Sequence, residues 1–150
     1  MLLVTEKGTN KLGSYRVPDH GTTDAPTVTT SAGITQFGFA FDRRGHALVS
    51  EAFGGAVNAS AAYGFGISAP ASPSVISASV GTTQTAACWV VVTPNGRYAY
   101  VTNTGSGTIS SYSVQQSGKL SLAQPVAATA GAGPNDAALS ASGGYLFVLN

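Results

Sequence analysis

A unit of turn, strand, turn, strand recurs along this chain, and that repeat constrains the fold more than any local propensity does. Its clearest copy begins at Pro94-Asn95-Gly96 and runs through Val114. Pro94-Asn95-Gly96 supplies a tight turn in which the glycine is free to take a positive φ. Tyr98 to Thr102 is aromatic and β-branched, as a half-buried strand should be. Gly105-Ser106-Gly107 makes a second turn, and Thr108 to Val114 then alternates in polarity. One such hairpin is marginal in water, so its weight lies in recurrence.

Ser140 to Asn150 lies on Thr93 to Asn103 without a gap, 47 residues further on. Phe41 to Glu51 is an earlier copy, with Glu51 standing 52 residues before Asn103. Leu2 to Glu6 matches Ala99 to Asn103, 45 residues before Glu51. The following strand repeats as well: Tyr15 is nine residues after Glu6, as Tyr112 is nine after Asn103. Phe65 is fourteen after Glu51, so five extra residues lie between Ala52 and Gly64. A strand ahead of each unit aligns Phe37 to Phe41 with Trp89 to Thr93 and Asp136 to Ser140. No segment keeps a helical period.

Four short strands every 45–50 residues are the signature of a β-propeller blade. The expected fold class is all-β: about three four-stranded antiparallel blades of a larger ring, for which the resemblance given below implies seven blades. The blades fall at 1–30, 31–80, 81–128 and 129–150. Strand A covers 37–41, 89–93 and 136–140, and strand B 47–51, 98–103 and 145–150. Strand C covers 12–17, 61–67 and 108–114, and strand D 26–30, 74–79 and 121–127. Because the pattern starts and stops inside a blade, the remaining blades are expected elsewhere in the same parent chain. The rival is a small protein that closes its ring by oligomerising.

Charged residues make up only 9% and the net charge is +1. With no basic stripe and no aromatic-basic interleaving, nucleic acid is not an expected partner. The apolar run at Cys88 to Val92 is far below the ~20 residues a membrane span needs, so no membrane partner is expected. The single cysteine excludes an internal disulfide and leaves the compartment open.

Tyr100-Val101-Thr102-Asn103 spells the YVTN signature. The string from Pro94 to Tyr112 resembles the lactonase family of seven-bladed propellers, which includes 6-phosphogluconolactonases and fungal carboxy-muconate cyclising enzymes. Val4-Thr5-Glu6-Lys7-Gly8 and Phe39 to Gly45 look like it too. The resemblance implies a small-molecule lactone or sugar derivative as substrate and a hydrolase activity. It also implies His, Arg and carboxylate groups on the loops leading into strand A. Those loops here read Thr35-Gln36-Phe37, Ala87-Cys88-Trp89 and Pro134-Asn135-Asp136, without histidine. The alternative is therefore a non-catalytic propeller that serves as a ligand- or protein-binding scaffold.

Antiparallel geometry puts the start of strand A and the end of strand B on one face of the disc, and strand A is innermost. Gln36, Cys88 and Asn135 align as one ring of positions, and Phe37, Trp89 and Asp136 as the next. Unlike residues at equivalent places are how a repeat scaffold builds a site. Asp136 and Glu51 are the candidate catalytic carboxylates, since opening a lactone needs an activated water and a donor for the oxyanion. For Asp136, holding its own turn is an equally weighted alternative. Gln36, Phe37, Trp89 and Asn135 are the candidate substrate contacts, with packing favoured for the two aromatics. No cofactor is expected. Ca²⁺ on Glu6 and Glu51 is a minor alternative, with pairing to loop N–H groups or Lys7 preferred. Asn at 103 and 150, where the other copies have Glu, suggests a structural role for that position. Cys88 reads as inert and buried. His46, His20, Arg43 and Arg44 fall away from this face.

Overall fold

The computed structural model describes residues 1–67 and 73–150. Among these it holds four antiparallel sheets. Blade I consists of β1 (Leu2–Glu6), β2 (Lys11–Tyr15) and β3 (Thr27–Thr30). Blade II is β4 (Gln36–Phe41), β5 (Ala47–Glu51), β6 (Ala61–Gly66) and β7 (Ser74–Gly81). Blade III is β8 (Ala87–Val92), β9 (Tyr98–Asn103), β10 (Thr108–Val114) and β11 (Leu120–Thr129), and blade IV holds β12 (Asp136–Leu139) and β13 (Leu146–Leu149). Blades II and III are simple meanders, each strand beside its sequence neighbours. The expected strands agree with these elements to within two residues at each boundary.

Strands β5 and β6 are buried at every residue, so their alternation of large and small side chains does not separate core from solvent. Both faces of a blade are covered by its neighbours. Leu48 and Ala62 point to one side and join Val90, Val101 and Tyr112 of blade III. Val49, Tyr63 and Phe65 point to the other and join Leu3 and Leu12 of blade I. Glycine permits a close approach between blades II and III. A Cβ on Gly64 would lie 2.5 Å from the Gly118 carbonyl oxygen.

A bulge opens each complete blade between strands A and B. Phe37 and Gly38 together oppose Ser50, because the register passes from Gln36–Glu51 directly to Phe39–Val49. Cys88 and Trp89 oppose Thr102 in the same way. A strand-B hydroxyl fills the gap: Gly38 N donates to Ser50 Oγ at 3.0 Å, and Trp89 N donates to Thr102 Oγ1 at 2.9 Å. These hydroxyls also join blades. Thr5 Oγ1 donates to Phe37 O at 2.9 Å, and Ser50 Oγ to Cys88 O at 2.6 Å.

Candidate functional site

The loops that lead into strand A are held by the turns after strand B. Asn10 of blade I accepts Thr35 N on its side-chain oxygen at 2.7 Å and Ser31 N on its carbonyl at 3.1 Å. The longer loop of blade II, which contains a 3₁₀ turn at Phe53–Gly55, reaches blade III. There Asn58 N donates to Thr85 Oγ1 at 3.0 Å and Ser60 N to Gln84 O at 3.1 Å. The five-residue insertion thus lies on the strand-A side, as expected. Thr104 Oγ1 extends the same pattern to blade IV by donating to Pro134 O at 2.7 Å.

These contacts fix a rim at the inner edge of the sheets. Phe37 is 39% exposed and Trp89 37%, so each presents an edge to solvent while packing with the rest. Lys7 Nζ stands 5.0 Å from the Phe37 ring centroid, a cation–π distance. Asp136 is half-buried, its Oδ1 accepting Ala137 N at 2.7 Å, and Asn135 is exposed. Burial is the main cause that pushes the Cys88 thiol up. A Thr104 hydrogen bond opposes it, and the charges of Asp136 and Lys7 act in opposite directions. A buried thiol held in its neutral form is a poor nucleophile, since only the thiolate is a strong one.

Strand A of blade II is aligned one residue out in the sequence reading. Its turn to strand B closes between Asp42 N and His46 O, whereas the turn in blade III closes between Thr93 N and Tyr98 O, one residue longer. The equivalent rings are Phe37, Cys88 and Asn135, then Gly38, Trp89 and Asp136. The hydroxyls of Thr5 and Ser50, which reach Phe37 O and Cys88 O, mark the same correspondence. Gly38 stands where Trp89 stands one blade on, and a Cβ there would lie 3.0 Å from Trp89 Cε3.

The same shift takes Gln36 off the rim. Gln36 pairs with Glu51, and both are 0% exposed. Glu51 therefore does not share the open surface with Asp136, contrary to its assignment as a catalytic partner. It lies on the face of β5 that carries Val49 and packs toward blade I. A Cβ on Gly33 would fall 2.7 Å from its Oε1. Burial pushes the Glu51 carboxyl up, although the Ser79 hydroxyl and the Gly33 backbone oppose the shift. Neither carboxyl oxygen has a hydrogen bond of normal geometry, and the side-chain atoms of Gln36 and the Tyr63 hydroxyl are likewise unpartnered. The Glu51 charge also adds to the burial that raises Tyr63.

In blade III the position of Glu51 is Asn103. Its Nδ2 donates to Ser110 Oγ at 2.9 Å and to Thr108 Oγ1 at 3.2 Å, a strand-locking role. Glu6 in blade I accepts the Thr9 hydroxyl at 2.6 Å, a loop partner other than Lys7. Among the described residues no three His, Cys, Asp or Glu side chains gather as a metal site. Lys7 is the rim residue the sequence reading passed over as a functional group. Its signal was its place, one residue beyond the end of strand B. His46 lies at the other end of the strands, 2.9 Å from the Asp42 carboxylate.

No curated protein matches the chain. Several solved structures share the fold. A protein of unknown function from Desulfotomaculum acetoxidans is 21% identical with a TM-score of 0.75, covering 97% of this chain and 46% of that one. A candidate 6-phosphogluconolactonase from Bacteroides uniformis is 20% identical with a TM-score of 0.79, covering 99% and 46%. A protein from Lactobacillus plantarum is 23% identical with a TM-score of 0.80, covering 99% and 44%. The chain thus spans a little under half the length of each. The family described as Lactonase, 7-bladed beta-propeller, matches residues 1–150, and the chain belongs to that family.

Proposed function

We propose that this propeller hydrolyses a sugar lactone or related cyclic ester at the rim formed by the starts of the strands A. The observation that carries the reading is geometric: the half-buried carboxylate of Asp136 opens strand A of blade IV on the rim where Lys7 stands over the exposed Phe37 ring. Family membership supports it, and so does the likeness to a candidate 6-phosphogluconolactonase.

In the proposed step, water attacks the lactone carbonyl and gives its proton to Asp136. The tetrahedral oxyanion collapses, the bond from the carbonyl carbon to the ring oxygen breaks, and that oxygen takes the proton back from Asp136 to become a hydroxyl. Lys7 offsets the developing negative charge or holds an anionic substituent of the substrate. Trp89 and Phe37 supply apolar edges for the ring. Glu51 and Gln36 take no part in this step, because neither has any exposed surface.

The test is lactone hydrolysis by the full-length protein, corrected for spontaneous opening. It uses 6-phosphogluconolactone and an unphosphorylated lactone. Asp136→Asn should lower kcat about 10²–10⁴-fold, the usual contribution of a positioned general base. Turnover unchanged in Asp136→Asn sinks the assignment. A second reading, the non-catalytic scaffold, is favoured by the absence of both histidines from the rim: His46 pairs with Asp42, and His20 with Thr22. Absence of turnover on both lactones ranks that reading first.

A further inference from the structure

The face opposite the rim carries a cleft of about 460 Å³ whose lining includes Arg43, Arg44 and Arg97. Three of the chain's four arginines thus meet in one place. Two blades build it. Arg43 and Arg44 sit on the turn between β4 and β5, and Arg97 on the turn between β8 and β9. Close packing brings the turns together: a Cβ on Gly96 would lie 3.0 Å from Arg43 Cγ and 3.6 Å from an Arg44 guanidinium nitrogen.

Among the described residues no carboxylate lines the cleft. Asp42 is the one acid in these turns, and it is turned inward. Its Oδ1 accepts Arg44 N at 2.8 Å and His46 N at 2.9 Å, and its Oδ2 faces His46 Nδ1 at 2.9 Å. Among the described residues the only ion pair is that of Asp42 with His46. The neutral groups of the cleft add donors. Asn95 Oδ1 receives Arg97 N at 3.0 Å and the Thr93 hydroxyl at 2.8 Å, which leaves its amide nitrogen for the cleft. Gln115 and Gln116 close the far wall.

Like charges brought together in a cleft raise the local potential and concentrate counter-ions there. Guanidinium forks match the oxygens of phosphate two at a time, which makes arginine the side chain suited to such an ion. We propose that this cleft is a binding site for a small phosphate-bearing anion, separate from the rim. The six residues of β8 put it roughly 17 Å from the starts of the strands A, at about 3.3 Å per residue. An anion held here cannot be the one reacting at the rim.

The test is calorimetric titration of the full-length protein with inorganic pyrophosphate, at constant ionic strength set with chloride. A sugar phosphate and a nucleoside diphosphate are titrated alongside. All three arginines are exposed, so Arg43→Gln with Arg44→Gln, and Arg97→Gln separately, should fold normally. Saturable binding that weakens roughly tenfold or more in each variant, and is unchanged in Lys7→Gln, is the expected result. Tighter binding of either organic phosphate also supports the site and names the source of the anion. Absence of saturable binding at millimolar pyrophosphate overturns the proposal. So does binding that survives both arginine variants, or binding lost in Lys7→Gln instead.

Discussion

Ser50→Ala tests how the blades are joined. Ser50 is 0% exposed, and its hydroxyl serves two buried backbone groups. It accepts Gly38 N at the bulge, at 3.0 Å, and donates to Cys88 O of the next blade at 2.6 Å. Alanine removes both partners and puts no polar group in their place. Each buried backbone group left unsatisfied costs about 1–3 kcal/mol. The two share one hydroxyl and will not add fully, so the expected loss is about 2–4 kcal/mol. Urea unfolding reads it directly. With a slope of about 2 kcal/mol per molar, the midpoint falls by roughly 1–2 M at unchanged slope. Ser50→Thr should restore most of the loss, since Thr5 and Thr102 fill the same position in blades I and III. A midpoint for Ser50→Ala within about 0.3 M of the parent refutes the reasoning. So does a threonine variant no better than alanine.

Gly64→Ala and Gly81→Ala should have opposite signs. The first pushes a methyl against the Gly118 carbonyl and should cost about 1–3 kcal/mol, whereas the second meets nothing within 4 Å and should be neutral or stabilising by up to about 1 kcal/mol. Equal midpoints would contradict the close approach of blades II and III. Glu51→Gln should change the pH dependence of stability. Burial raises the folded-state pKa of Glu51, so its contribution is fully present below the ordinary glutamate pKa and is lost as pH rises through the folded value. The glutamine variant lacks that loss. Relative to the parent it should gain stability as pH rises above the ordinary glutamate value of about 4, by denaturant midpoints at each pH. A constant difference across that range would show that Glu51 does not titrate on unfolding in this window.

The repeat and its spacing determined the architecture without help from the structure. Strands of β-branched and aromatic residues between glycine turns, at a fixed period, have few ways to bury themselves other than by stacking blade on blade. Even the insertion after Glu51 was legible, because a longer spacing between two matched strands has to be a loop. The depth of individual residues was not legible. A strand sandwiched on both faces loses the alternation that separates core from solvent, so Glu51 and Gln36 read as rim residues although neither has any exposed surface. The register of strand A in blade II was hidden too, because a turn one residue shorter leaves the apolar pattern intact while moving every side chain by one place. Ser50 carries its meaning only through Gly38 and Cys88, one across a bulge and the other in the next blade. Residues far apart in the chain become neighbours only when the blades pack. Tertiary structure alone decided that Lys7 stands over Phe37, and that Arg43 and Arg44 line one cleft with Arg97.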